Sequence, residues 1–260
     1  MPCSAPEGSQ RTLSDVTRAD DYFARVSAMV RHLDTVRDPM RAVELLRQAT
    51  LCMGAERSIF ASFIRDDASC ESFRLLLACD PEWLIDYEQQ RWHEDDPWLA
   101  YARVHCEPVR GSEIPTHTAA QRAIVELAER FGFRSSVIVP TPSSGGLSRT
   151  GVLCLGSATP NYFEGDGYLE FKLVARGVAT EFHDWWIARM KDELIASAHI
   201  TSEDIVLLAH ERRGHSTKVI ARDLHSSITS INSRFQRLNF KLKVPNRRAA
   251  ARKAAEYGLI

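Results

Sequence analysis

Apolar residues recur along this chain with two different periods, and the changes between them divide it into elements. Over "ADDYFARVSAMVRHL" and "DPMRAVELLRQATLCMGA" they return at helical spacing, and in the second stretch Pro39 stands near the first turn and Gly54 near the end. "RSIFASFIR" and "SFRLLLAC" are short, with β-branched, aromatic and alternating residues, and predict strands. Helical spacing resumes from Pro81 to about Trp92 and from Trp98 to Val104, then again from Thr116 to about Phe131, with a brief extended "PVR" in between. "SSVIVPT" and "GVLCLGS" flank the Pro-, Ser- and Gly-rich "PSSGGLSRT", the pattern of a β-hairpin with a long loop. A long helix is predicted from about Glu164 to Ser197. Such a mixture buries its apolar faces most economically as a sheet between helices, so this part of the chain predicts an α/β/α sandwich.

From Thr201 onward the pattern is helical throughout. Thr201 and Asp204 are spaced as a capping box ahead of the apolar "IVLLA", and Gly214 ends that helix. Ser216 caps a short second helix, "TKVIARDL", and Ser227 caps a third, "ITSINSRFQRLNFKLK", after only a few residues of turn. Two helices joined so tightly form a helix-turn-helix. On the third, Ile228, Ile231, Phe235, Leu238 and Leu242 share one narrow arc and predict core. The opposite face carries Thr229, Ser233, Gln236 and Arg237, with Ser230 and Lys241 on one shoulder. Small hydroxyls near a helix N-terminus allow close approach to base edges, and cations further along reach bases or phosphates. Lys218 and Arg234 are further candidate DNA contacts.

Charge sharpens this division. The net charge of the 260 residues is only -1, yet residues 201–260 hold 12 Lys and Arg against 5 Asp and Glu, a surplus of +7, while residues 1–200 hold 21 against 29, or -8. A basic tail on an acidic body points to a polyanionic partner, double-stranded DNA. With 44% hydrophobic residues there is enough for two globular units. The expected organisation is a flexible leader over 1–19, a mixed α/β domain over 20–190, a linker over 191–199 and an all-α four-helix DNA-binding domain over 200–260. Six scattered cysteines without a CxxC pair, and no secretory h-region, lead to the expectation of a reduced, cytoplasmic protein. No apolar run approaches the length of a membrane span.

"GHSTKVIARDLHSSITSINSRFQRLNFKLKVPNRRAAARKAAEYGLI" resembles the LuxR-type helix-turn-helix domain without gaps, through Gly214, Lys218, Ile220, Ala221, Leu224, Ser227, Ile231, Lys241, Leu242, Val244, Asn246, Arg247, Ala250 and Gly258-Leu259-Ile260. Asp204, Val219 and Arg237 depart from the customary Glu, Glu and Asn. Regulators of this family often carry an autoinducer-binding domain, and "DPEWLIDYEQQRWHEDDP" resembles its signature through Trp83, Tyr87, Asp96 and Pro97. The resemblance implies that the Trp83 indole donates to a lactone carbonyl, Asp96 accepts an amide N–H, and Tyr87 lies along the acyl carbonyl of an acyl-homoserine lactone. A neutral amide and ester need only a few placed donors and acceptors in an apolar pocket. On residue types alone, Trp83 and Tyr87 at i,i+4 read as core aromatics and Asp96 before Pro97 as a helix cap.

Four departures alter the implied pocket. Gly111 stands where the family places a ring-covering Trp, Cys79 replaces an aromatic four residues before Trp83, Ser136 replaces a Gly, and Cys154 replaces a Ser or Thr on the last strand. Gly111 thus leaves an expected hole, to be filled by Trp92, by Trp98 or by a bulkier ligand head group. An enzyme reading would draw on Cys106 beside His105, His93 near Asp95, or Cys154, but none has a base, an orienting group and an oxyanion arrangement in the sequence. No metal-ligand spacing and no cofactor motif is evident. The resemblance implies a homodimeric quorum-sensing regulator that binds a small-molecule signal and a pseudo-palindromic DNA site. The alternative is a ligand-independent regulator or a heterodimerising antagonist of a related one.

Overall fold

A computed structural model describes residues 11–65, 71–142 and 149–260. The chain divides into two compact units: one holds the residues up to Ser62 with Arg74–Pro142 and Thr150–Phe182, and the other contains His183–Ile260.

The first unit begins with helix α1 (Leu13–Thr17), where Thr12 and Asp15 form a reciprocal capping box and Leu13 and Thr17 are buried. This corrects the expected leader for these residues: a single buried leucine and a cap are too short a signal for periodicity to register. Helices α2 (Tyr22–Val30) and α3 (Pro39–Met53) follow. Asp38 accepts from the Met40 N–H at 3.0 Å with Pro39 in the first turn, and Gly54 ends α3 at φ 97°, which a side chain would resist.

Strands β1 (Arg57–Arg65) and β2 (Glu71–Ala78) precede helices α4 (Glu82–Gln89) and α5 (Pro97–Val104). Strand β3 (Val109–Arg110), helix α6 (Ala119–Arg130) and the antiparallel pair β4 (Ser135–Pro142) and β5 (Arg149–Ser157) complete the sheet, whose order is β2-β1-β5-β4-β3. Residues 143–148 of the expected hairpin loop lie outside the described residues. Ser58–Ser62, Ser135–Thr141 and Gly151–Ser157 are buried without a break. Successive strand residues point to opposite faces, so both faces of the central strands are covered, as a sheet between helices requires.

Helix α7 (Tyr168–Ala198) buries Phe171, Ala175, Val178, Ala179 and Phe182 in the first unit, an apolar stripe at helical spacing. The expected linker is helical as far as Ala198, and the division between the units falls inside α7.

The second unit holds α8 (Ser202–Arg212), α9 (Thr217–Asp223), α10 (Ile228–Leu242) and α11 (Arg247–Glu256). Each N-terminus is capped by the side chain of Thr201, Ser216, Ser227 or Asn246. Leu207, Leu208, Ile220, Ile231, Phe235, Leu238, Leu242 and Ala250 form its core. Ile228 is not part of it: this first residue of α10 is 45% exposed, because the helix enters the core only one turn later. Among the described residues no helix is long and apolar enough to cross a membrane.

Candidate ligand site and nucleic-acid interface

Spacing of four on α4 brings Trp83 and Tyr87 together, their rings stacked with centroids 4.5 Å apart. The helix does not continue to Trp92 as its apolar pattern suggested. Arg91 takes a left-handed conformation (φ 53°), and Trp92–Glu94 form a short 3-10 turn that redirects the chain. Asp96 thereby returns to α4, where the Tyr87 hydroxyl donates to its Oδ2 at 2.6 Å. Its Oδ1 accepts from the backbone N–H groups of Trp98 at 2.8 Å and Leu99 at 3.3 Å. Asp96 is thus both the N-cap of α5 and the partner of Tyr87. Of about four acceptor positions on a carboxylate, these bonds occupy three.

Burial pushes the Asp96 carboxyl above its ordinary range, opposed by hydrogen bonds from Tyr87, Trp98 and Leu99 and by the charge of Arg103. Burial, and then the nearness of Asp96, raises Tyr87 as well. Cys154, on β5 opposite Ile138, is raised well above the ordinary thiol value by burial, with Asp96 and Cys79 adding to the shift. Burial pushes Cys79, just after β2, up to about 12. Both thiols are therefore uncharged near pH 7.

The hole expected at Gly111 is absent. Strand β3 pairs Arg110 with Val137, which brings Gly111 against Ser136. A Cβ on Gly111 would stand 2.1 Å from Ser136 Oγ and 3.5 Å from Cζ2 of Trp98, which is 7% exposed and packs on Phe133. Gly111 and Ser136, two separate departures in the sequence, are one compensated pair, and Trp98 fills the remaining space.

On α10, Thr229, Ser230, Ser233, Gln236 and Arg237 are exposed, as is Lys218 on α9. Two expected contacts are differently employed. Lys241 donates to Asp204 Oδ2 and to the His199 carbonyl, each at 2.8 Å, and Arg234 pairs with Glu203 at 2.6 Å. Both side chains curl back onto α8, where the carboxylates of its first turn offer nearer partners than solvent.

The family model described as the autoinducer binding domain matches residues 38–178. The chain belongs to that family. Comparison with curated protein sequences gives no match. Among solved structures the chain is similar to SdiA in complex with octanoyl-rac-glycerol, at 14% identity and a TM-score of 0.70, over 92% of this chain and 96% of that one. It is also similar to Escherichia coli SdiA, at 13% identity and a TM-score of 0.69, over 92% and 99%. The third is the N-acylhomoserine-lactone-dependent LuxR-family factor CepR2 of Burkholderia cenocepacia, at 15% and 0.57, over 66% and 98%. At these identities the likeness is one of fold.

Within the autoinducer-binding family match lie Trp83, Tyr87, Asp96, Cys79, Gly111 and Cys154, all in the first unit. Sequence reasoning counted Ser136 among the departures in the implied pocket without foreseeing that it meets Gly111, and it did not foresee Arg103 beside Asp96. Ser136 had a signal, since its departure mirrors that at Gly111; Arg103 had none, being one cation among many.

Proposed function

We propose that this protein is a transcriptional regulator that binds an acylated signal molecule at the Trp83–Tyr87–Asp96 site and double-stranded DNA through α10. The observation that carries the reading is the Asp96 carboxylate: it is buried, fixed by three hydrogen bonds, and retains one acceptor position within a matched autoinducer-binding domain. A ligand N–H or O–H satisfies that position, and the Trp83 indole N–H suits a carbonyl oxygen. An acyl-homoserine lactone meets both demands. So does an acylglycerol, the class of molecule bound in the SdiA complex.

The DNA reading rests on a capped helix whose exposed face is hydroxyl-rich at its start and cationic further on, in a part of the chain with a +7 surplus. A homodimer on a pseudo-palindromic site follows from pairing two such helices, since half-sites one turn apart demand two-fold symmetry. Titrating the purified protein with acyl-homoserine lactones and monoacylglycerols, with Trp fluorescence and DNA retardation as readouts, tests both parts. Saturable quenching and a ligand-dependent change in DNA affinity are expected. DNA binding that no acylated compound alters would instead indicate a ligand-independent regulator.

A further inference from the structure

Outside the two regions already described, the second unit brings together three metal-ligating side chains from different elements. His210 lies in the last turn of α8, His215 just before the N-cap of α9, and Asp223 at the end of α9. Gly214, at φ 73°, reverses the chain after α8, and the His215 N–H donates to the His210 carbonyl at 3.2 Å. This turn folds the imidazoles onto each other with Nδ1 atoms 2.8 Å apart. One ligand atom from each of His210, His215 and Asp223 lies within 4.8 Å of the others, and both histidines are half-buried.

The geometry points to a binding site for a divalent transition cation of the zinc class, held by His210, His215 and Asp223. Zinc–nitrogen bonds of about 2.0–2.1 Å at a near-tetrahedral angle hold two nitrogens roughly 3.3 Å apart, so the pair need open by only about half an ångström. The proton of the Nδ1···Nδ1 hydrogen bond shifts to the Nε2 of its own ring, leaving both Nδ1 lone pairs for the metal. Arg222 engages only Oδ1 of Asp223, at 3.1 and 3.0 Å, which leaves the second oxygen for coordination. Two imidazoles and one carboxylate select zinc, nickel, copper or cobalt over magnesium, and a water completes the shell. The bound ion ties the end of α8, the turn and the end of α9 together, stabilising the folded unit by mass action.

Thermal denaturation of chelator-treated full-length protein tests this site, with zinc or nickel chloride as probe and magnesium chloride as control. Tm should rise with zinc or nickel and not with magnesium. The His210→Gln/His215→Gln pair should weaken the apparent affinity by more than about tenfold, the loss that mutating outer-shell partners alone can cause. Asp223→Asn, at an exposed position, preserves the fold and should weaken it as well. Cobalt should give a tetrahedral spectrum without a thiolate charge-transfer band. No zinc response, a response undiminished by both sets of variants, or a thiolate band placing the metal on cysteines overturns the assignment.

Discussion

Asp96 serves two purposes at once, and the residue scale is where they separate. Asn is as good an N-cap as Asp, so Asp96→Asn keeps the α5 cap and loses the carboxylate. The ligand concentration for half-maximal response should rise about tenfold or more, because a hydrogen bond to a charged group contributes roughly 1.5–3 kcal/mol. A dose–response curve in a reporter strain checks this; unchanged sensitivity reduces Asp96 to a cap. The pH dependence has a definite sign. Burial raises Asp96 above the ordinary 3.8, so its contribution to stability is fully present below that value and is lost as pH rises towards the raised one. Asn does not titrate, so the wild-type Tm should fall relative to that of Asp96→Asn as pH rises from 3.8, as parallel melting curves would show. Gly111 gives a second residue-scale prediction. Gly111→Trp collides with Ser136 and Trp98 and should cost about 1–3 kcal/mol as overpacking, part of it recovered by Ser136→Gly. A Trp variant whose stability is indifferent to Ser136 would show that the two positions do not share one space.

Elements were legible where a strong period met a punctuating residue. Asp38, Pro39 and Gly54 bracketed α3, and the strands β1, β4 and β5 emerged from their β-branched runs. The break of α4 was not legible, because Arg91 carries no preference for the left-handed region and is held there by the return of Asp96 to Tyr87. Helix α10 shows the same limit on a smaller scale. Angular position predicted Lys241 on its outer shoulder, but a flexible side chain goes to the nearest carboxylate, here Asp204. The two cations therefore have separable roles. Arg237→Ala should weaken specific DNA binding by about 1–3 kcal/mol if Arg237 reads a base, or lower the salt slope by about one if it meets a phosphate. Lys241→Ala should lower Tm and leave the salt slope unchanged. Fluorescence anisotropy across a salt series, beside melting curves, distinguishes them, and the reverse pattern would place Lys241 at the DNA.

At the scale of the molecule, the charge division by itself points to two tasks, since a surplus of +7 and a deficit of -8 are not shared evenly by a single-purpose protein. The ligand site was only half legible. The spacing of Trp83, Tyr87 and Asp96 depended on a resemblance, and the exchange of volume between Gly111 and Ser136 needed the pairing of β3 with β4 to bring distant residues together. The central claim is that this site holds an acylated signal. Its most direct test is mass spectrometry of small molecules extracted from protein purified out of a signal-producing host, for the wild type and Asp96→Asn side by side. The wild type should yield an acylated molecule bearing an amide or hydroxyl head group in near-equimolar amount, and the variant about tenfold less or lower. No acylated molecule from the wild type, or equal amounts from both, would contradict it.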